Sequence, residues 1–155
     1  MDAADRKLLE ALQEDSTRSL ADLADLAALS SSACHRRVRA LEQSGVIAGY
    51  GARLDPAKLG LSLVVSVEIT LISQSSESMA AFEASVMNFD DILDCHLMSG
   101  AGDYLLRVAA RDLEQFDRIH RECLSRLPGV ASMRSSFQIR SIKRWTGYPV
   151  ARDLR

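Results

Sequence analysis

The chain is poor in the features that mark secreted, membrane-spanning or catalytic proteins. It has three cysteines in 155 residues, an odd number with no paired spacing, which argues against a disulfide framework and for free thiols in a reducing compartment. No run approaches the roughly 18 apolar residues that a bilayer-spanning helix requires. The N-terminus, MDAADRKLLEAL, is acidic and helical where a secretion signal would be basic and then apolar. The expected location is therefore the cytoplasm, with no membrane partner. There is no nucleophile elbow, no pair of carboxylates at a defined spacing and no P-loop, so catalysis has no support in the sequence. An excess of positive charge is also missing. The formal net charge is -2, and up to Gly60 eight Lys and Arg face nine Asp and Glu. Any contact with nucleic acid must rest on local patches.

With 47% hydrophobic and 26% charged residues, the chain is globular and long enough for one domain or two small ones. Ala4, Leu8, Ala11 and Leu12 recur at helical spacing, with Asp2 and Asp5 where a helix dipole favours negative charge. This predicts a first helix ending near Asp15. Leu20, Leu23, Ala24 and Ala27 share one face of a short second helix, and Leu29 and Ser30 interrupt the pattern as a tight turn. Ser30 is a natural N-cap for a third helix, and Gly45 a natural residue just beyond its end. Helix, turn, helix is the local reading.

After Gly45 the glycines at 49, 51 and 60, together with Pro56, suit a small wing or strand and a linker. The domain boundary is expected here, giving residues 1–60 and 61–155. From Leu61 to Ile72, apolar residues at odd positions alternate with Ser62, Val64, Ser66, Glu68 and Thr70, which predicts a long strand. A helix, two strands separated by GAGD, a second helix and a last strand follow. The order is βαββαβ, a ferredoxin-like split βαβ unit, and the fold class is α+β. One row of the first strand is wholly apolar and the other still includes Val64 and Ile72. Helices on one side would leave that second face partly uncovered, so a partner subunit is expected, making at least a dimer.

Three serines followed by three arginines in four positions single out the third helix. At 100° per residue, Cys34, Val38 and Leu41 fall together as a core face, and Ser32, Arg36, Arg39 and Gln43 form a stripe on the opposite side. Small residues at the start, Ser30, Ser31 and Ser32, would let the helix enter a major groove closely, with hydroxyls and backbone N–H groups meeting phosphates. Arg36 and Arg39 could reach guanine edges or the flanking backbone. His35 and Arg37 lie on the flanks, where phosphate contact is the more natural role. For Arg37 a second reading stands beside it, an internal ion pair with an acidic residue of the first two helices. Double-stranded DNA is the expected partner.

Cys34–His35, Cys95–His96 and His120 with Cys123 each pair a thiol with an imidazole, but no three or four of them converge, and adjacent strand residues point to opposite faces. Cys34 and Cys123 read instead as small buried hydrophobes, the latter continuing a stripe of Leu113, Phe116 and Ile119. No metal or cofactor is expected. The MSGAGDYLL loop precedes a strand and not a helix, so it lacks a helix-terminus anion site. Its glycines permit close approach of a small ligand to backbone groups, and Asp103 beside them could meet an ammonium group. The other reading is a tight hairpin in which Asp103 fixes the turn. In the tail, Trp145 and Tyr148 are interleaved with basic residues. Such a segment can bind nucleic acid, or pack across a neighbouring subunit.

The stretch DRKLLEALQEDSTRSLADLADLAALSSSACHRRVRALEQSGVIAGYGARLDPAKLG, followed by SGAGDYLLRVAARDLEQFDRIHRECLSRLPGV, resembles the Lrp/AsnC, or feast/famine, family of transcription regulators. Its most specific parts are the serine-led helix ending in RRVRALEQSGVI, the SG..DYLL loop and strand, and the LPGV turn. The resemblance implies a winged helix-turn-helix DNA-binding domain and a βαββαβ ligand-sensing domain. It also implies dimers and commonly octamers, with small molecules, usually amino acids, bound between the C-terminal domains. The effector site would then comprise Ser99, Gly100, Ala101, Gly102, Asp103 and Tyr104 with Met133 and Ser135. Asp103 would take the ammonium group, Gly100 and Gly102 would offer backbone contact, and Ser135 would supply a hydroxyl. Met133 stands where relatives often carry threonine, and Ala101 and Gly102 where leucine-responsive members carry larger residues, so the pocket would differ in size. An amino-acid-sensing regulatory subunit of a metabolic enzyme is the alternative, and the lack of a catalytic domain counts against it.

Overall fold

The computed structural model describes residues 1–150. They form two units, one of Met1–Arg53 with the C-terminal segment from Ile142, and one of Leu54–Ser141. The boundaries differ from the expected 1–60 and 61–155 at both ends, and the reason lies in contacts distant in sequence. The Gln13 amide grips the backbone of Tyr148 from both sides, its Nε2 donating to the Tyr148 carbonyl at 3.0 Å and its Oε1 accepting the Tyr148 N–H. Arg53 donates to the carbonyls of Gln13 and Thr146. The segment packs on its own first unit, where Trp145 and Tyr148 stack edge to face and line a cavity of about 640 Å³ with Leu9, Leu12 and Tyr50. Residues 151–155, which the tail reading included, lie outside the described residues.

In the first unit, α1 (Ala3–Glu14) opens with a capping box in which Asp2 accepts from the Asp5 N–H and Asp5 from the Asp2 N–H. A second box, Ser19 with Asp22, opens α2 (Leu20–Ala27). Ala28 ends α2 in the left-handed conformation at φ 53°, donating to the Ala24 carbonyl, and this reversal is the tight turn into α3 (Ser31–Gln43). Leu8, Ala11, Leu23, Ala24, Ala27 and Cys34 form the core, with Leu12, Leu29 and Val38 packed against it. Leu20, expected on the buried face of α2, sits exposed at its first position. Residues 46–60 form no strand. That segment is held by the Ile47 N–H on the Leu41 carbonyl and the Tyr50 hydroxyl on Glu42.

The second unit has the βαββαβ order: β1 (Leu63–Leu71), α4 (Ser76–Val86), β2 (Ile92–Leu97), β3 (Tyr104–Ala110), α5 (Leu113–Glu122), a 3-10 turn at Leu124–Arg126, and β4 (Val130–Phe137). The sheet order is β2-β3-β1-β4, antiparallel throughout. Val65, Val67 and Ile69 pair with Val108, Leu106 and Tyr104, and this row packs on Phe82 and Val86 of α4 and on Phe116 and Ile119 of α5. Leu113, expected in the α5 stripe, is exposed. The opposite row of β1, Val64, Ser66, Glu68 and Thr70, is only partly buried, and Ile72 beyond it is 76% exposed. Helices cover one face of the sheet and leave the other open.

Candidate functional sites

The third helix is positioned by its caps and its core face. The Ser30 hydroxyl accepts from the Ala33 N–H at 3.3 Å, Ser44 closes the far end, and Gly45 follows at φ 75°, a conformation that costs a glycine little. Cys34 and Leu41 are buried beneath it. Ser32, Arg36, Arg39 and Gln43 lie exposed on the opposite side, with Ser30, Ser31 and His35 exposed beside them. Among the described residues, Arg36 and Arg39 have neither an ion pair nor a hydrogen bond. Both guanidiniums are free to meet a ligand.

Arg37 is different. Its Nη1 lies 2.7 Å from Asp2 Oδ2 and 2.8 Å from Asp5 Oδ1, so of its two readings the structure shows the internal ion pair. The two aspartates are those of the α1 capping box, and Arg37 ties α3 to the start of α1. The Asp5 N–H, and then Arg37, hold the Asp2 carboxyl below its ordinary range. Arg37 thus sets the attitude of α3, while Arg36 and Arg39 form its outer surface.

The eight effector residues expected from the resemblance do not converge within this chain. Asp103 is buried. Its Oδ2 accepts from the Leu71 N–H at 2.7 Å and its Oδ1 from Gln74 Nε2 at 2.6 Å. Its backbone N–H donates to the Ile69 carbonyl and its carbonyl accepts from the Met98 N–H, each at 2.8 Å. The bonds to Ile69 and Leu71 staple the loop to the end of β1, the bond from Gln74 adds the residue three positions beyond it, and the bond from Met98 closes the loop on itself, which is the turn-fixing reading. Tyr104 is also a core residue, stacked on Phe82 at a centroid distance of 4.6 Å and donating to Glu83 at 2.7 Å. Burial, and then that bond, push its phenol well above the usual range.

Met133 and Ser135 are likewise displaced from the loop's open side. Met133 pairs with Ile69 and Ser135 with Val67, and cross-strand partners share a face. Phe137, next in that row, packs edge to face on Phe116 at 5.2 Å. The row therefore faces the helices. Gly102 points the other way: a Cβ there would overlap Glu68 Cγ and lie 3.0 Å from Glu68 Cδ, so its role is close approach to a side chain and not free space. Ser99, Gly100 and Ala101 are exposed. The N–H groups of residues 99 to 102 have no acceptor among the described residues, which leaves a loop edge rich in donors. Beside it, on the open face, stand Glu68 and Arg134, paired across β1 and β4 with Nη1 3.9 Å from Oε1. Neither was singled out from sequence, although the alternation of β1 places Glu68 on the polar row.

The thiol and imidazole pairs stay apart. Cys34 and Cys123 are buried, and burial raises both thiols. Cys95 leans on the sheet core while His96 is exposed. Among the described residues no group of three or more His, Cys, Asp or Glu could hold a metal ion.

Comparison with known proteins agrees with this architecture. Residues 64–148 match the family model of the Lrp/AsnC ligand binding domain, and residues 1–48 that of a winged helix-turn-helix DNA-binding domain. The chain is 37% identical over 150 residues to the DNA-binding transcriptional activator DecR of Escherichia coli strain K12, covering 97% of this chain and 99% of that one. It is 39% identical to the leucine-responsive regulatory protein of Salmonella typhimurium, covering 92% and 87%. Among solved structures it superposes on a transcriptional regulator from Neisseria meningitidis in complex with L-Met, with a TM-score of 0.91, 31% identity and 97% of each chain covered. An AsnC family regulator from Agrobacterium tumefaciens gives a TM-score of 0.92 at 37% identity, covering 97% and 98%. With both domains matched in order, and with relatives of this identity along nearly its whole length, the chain belongs to the Lrp/AsnC family of DNA-binding transcription regulators.

Proposed function

We propose that this regulator reads duplex DNA with the exposed stripe of α3, Arg36 and Arg39 supplying the main contacts, and that it answers to an amino acid bound at the 99–103 loop. The observation that carries the DNA contact is the contrast among neighbours. Arg36 and Arg39 are exposed and unengaged, while Arg37 is held by Asp2 and Asp5. Ser32 and Gln43 extend the stripe, and Ser30, Ser31 and His35 border it where phosphates would pass. Asp103 positions the loop, whose free N–H groups suit a carboxylate. The match to the family's ligand-binding domain and the neighbour in complex with L-Met support an amino acid as effector.

The protein works as a homo-oligomer on DNA, without catalysis of its own and without a cofactor beyond its effector. That places it in the cytoplasm, and no described helix is long and apolar enough to cross a membrane. The open sheet face is the surface a second copy would cover. Light scattering at micromolar concentration should give at least a dimer, and a monomer would contradict this. Replacing both Arg36 and Arg39 by alanine should abolish operator footprinting with the fold intact. Footprinting unchanged in that variant would overturn the DNA contact set.

A further inference from the structure

A free amino acid presents an ammonium and a carboxylate on neighbouring atoms, so a site for it needs an anionic acceptor beside a cluster of donors. Two carboxylates lie at the 99–103 loop. Asp103 is buried, and each of its oxygens already accepts a short hydrogen bond, from the Leu71 N–H and from the Gln74 amide. Using it for a ligand would mean freeing groups that hold the loop. Glu68 is the reverse case. Its side chain is 41% exposed, and its ionic neighbour Arg134 stands 3.9 Å away, beyond hydrogen-bond range.

Its position is fixed nonetheless. The chain of Glu68 lies across Gly102, where any larger residue would meet Glu68 Cγ and Cδ. The loop thus has a gap at residue 102 that this side chain fills, bringing its carboxylate to the edge that carries the acceptor-free N–H groups of residues 99 to 102. Arg134 adds a positive charge on the same face. Acceptor, donors and cation together form the complement of a zwitterion.

Resting on the reading of the loop as the effector site, we infer that Glu68, and not Asp103, receives the ammonium group of the amino-acid effector. Its carboxylate accepts the ammonium over Gly102, while the loop N–H groups and Arg134 receive the effector's carboxylate. Asp103 holds the loop in place for both. The site therefore requires the α-amino group, and carboxylic acids lacking it bind weakly.

The test begins with thermal shift of the wild-type protein against the twenty amino acids. The one that raises the melting temperature, and its des-amino carboxylic acid, are then titrated by calorimetry into wild type and Glu68→Gln. Glu68→Gln should bind the amino acid about 10- to 100-fold more weakly, the scale of a lost charge-assisted hydrogen bond. Both proteins should bind the des-amino acid equally, because the amino group and Glu68 are lost as one interaction. The melting temperature of ligand-free Glu68→Gln reports its fold. Should the variant melt early, Glu68→Asp, which keeps the charge but draws it back from Gly102, is titrated in its place and should lose the amino acid's advantage over its des-amino acid in the same way. If no amino acid shifts wild type, the effector reading fails and Glu68 with it. If one does, and Glu68→Gln or the des-amino acid binds as tightly as the reference, the loop keeps its effector and Glu68 is overturned.

Discussion

The three arginines of α3 lie within four positions, yet their surroundings predict two different responses to the same truncation. Arg36 and Arg39 point outward with no partner among the described residues, so removing them leaves the folded unit's interactions intact. Their loss should appear only on DNA. A bidentate contact to a base edge is worth about 1–3 kcal/mol, and a dimer presents each arginine twice. Each substitution should then weaken operator binding by roughly 2–6 kcal/mol, about 30-fold to 10⁴-fold. A phosphate contact gives another signature: log K against log salt flattens by about 0.9 per contact, or about 1.8 per dimer. Arg37→Ala leaves the Asp2 and Asp5 carboxylates, 2.7 and 2.8 Å from its Nη1, without their cation. It should lower the melting temperature and, because α3 is no longer tied to the start of α1, weaken DNA binding alongside that loss without changing the salt slope. Fluorescence anisotropy on a duplex selected from a random pool, between 50 and 200 mM salt, with circular-dichroism melts of the three single variants, separates the cases. Arg36→Ala and Arg39→Ala binding with wild-type affinity and slope would refute the reasoning, as would Arg37→Ala losing DNA at an unchanged melting temperature.

Other expectations concern the second unit and the thiols. Gly102→Ala should destabilise the protein by about 1–3 kcal/mol, the usual scale of overpacking, because its Cβ meets Glu68. The double variant Gly102→Ala with Glu68→Ala should regain most of that in urea titrations, and no regain would mean the strain lies in the backbone. Asp103→Ala leaves the Leu71 N–H buried without an acceptor, at about 1–3 kcal/mol. Hydrogen exchange at Leu71 should then accelerate, and an unchanged rate would count against the staple. A thiol reagent should label Cys95 first in the native protein and all three cysteines in denaturant, since Cys34 and Cys123 are buried. Burial pushes Cys123 up from 9.0 to about 11. The unfolded chain therefore loses this proton first, and the stability tied to the neutral thiol is present below pH 9 and lost as pH rises toward about 11. Stability independent of pH in that window, compared with Cys123→Ala, would contradict it.

What could be read from the sequence was what neighbours in the chain determine. The 3.6-residue repeat separated Cys34, Val38 and Leu41 from Ser32, Arg36, Arg39 and Gln43, and the caps at Ser30 and Gly45 act through bonds within one turn. The period-2 pattern of β1 fixed which residues share a face. It did not say which row of β4 meets the helices, because Met133, Ser135 and Phe137 alternate with Ser132, Arg134 and Ser136, and both rows carry polar residues. Only the pairing of β4 with β1 settles that. The unit boundary was hidden for the same reason, since Gln13 and Tyr148 stand 135 positions apart.

The charged residues show the limit most plainly, because a charge can serve a ligand only if the fold has not already engaged it. Arg37 and Arg36 are adjacent and chemically identical, and the difference between them comes from two aspartates more than 30 positions away. Asp103 and Glu68 form a second such contrast. The first is in the loop that the family's motif marks, and its oxygens are engaged by Leu71 and Gln74. The second is in a strand that reads as scaffold, and its carboxylate faces solvent at the same loop. A charge on a rigid element that the fold holds by no hydrogen bond, Arg36 with no partner among the described residues and Glu68 with only Arg134 at 3.9 Å, meets a ligand with little internal structure to break, so that member of each pair is the better candidate for contact. The engaged member then acts by holding that geometry. On the proposed function, Arg36 and Glu68 would meet DNA and effector, and Arg37 and Asp103 would hold the structure that presents them. Exchanging the members of a pair should not conserve function: with Arg36 and Arg39 absent, a variant that frees Arg37 through Asp2→Asn and Asp5→Asn should gain no preference for operator over random duplex, because from the flank of α3 Arg37 reaches phosphates and not base edges, and a gain confined to the operator in competition binding would refute this.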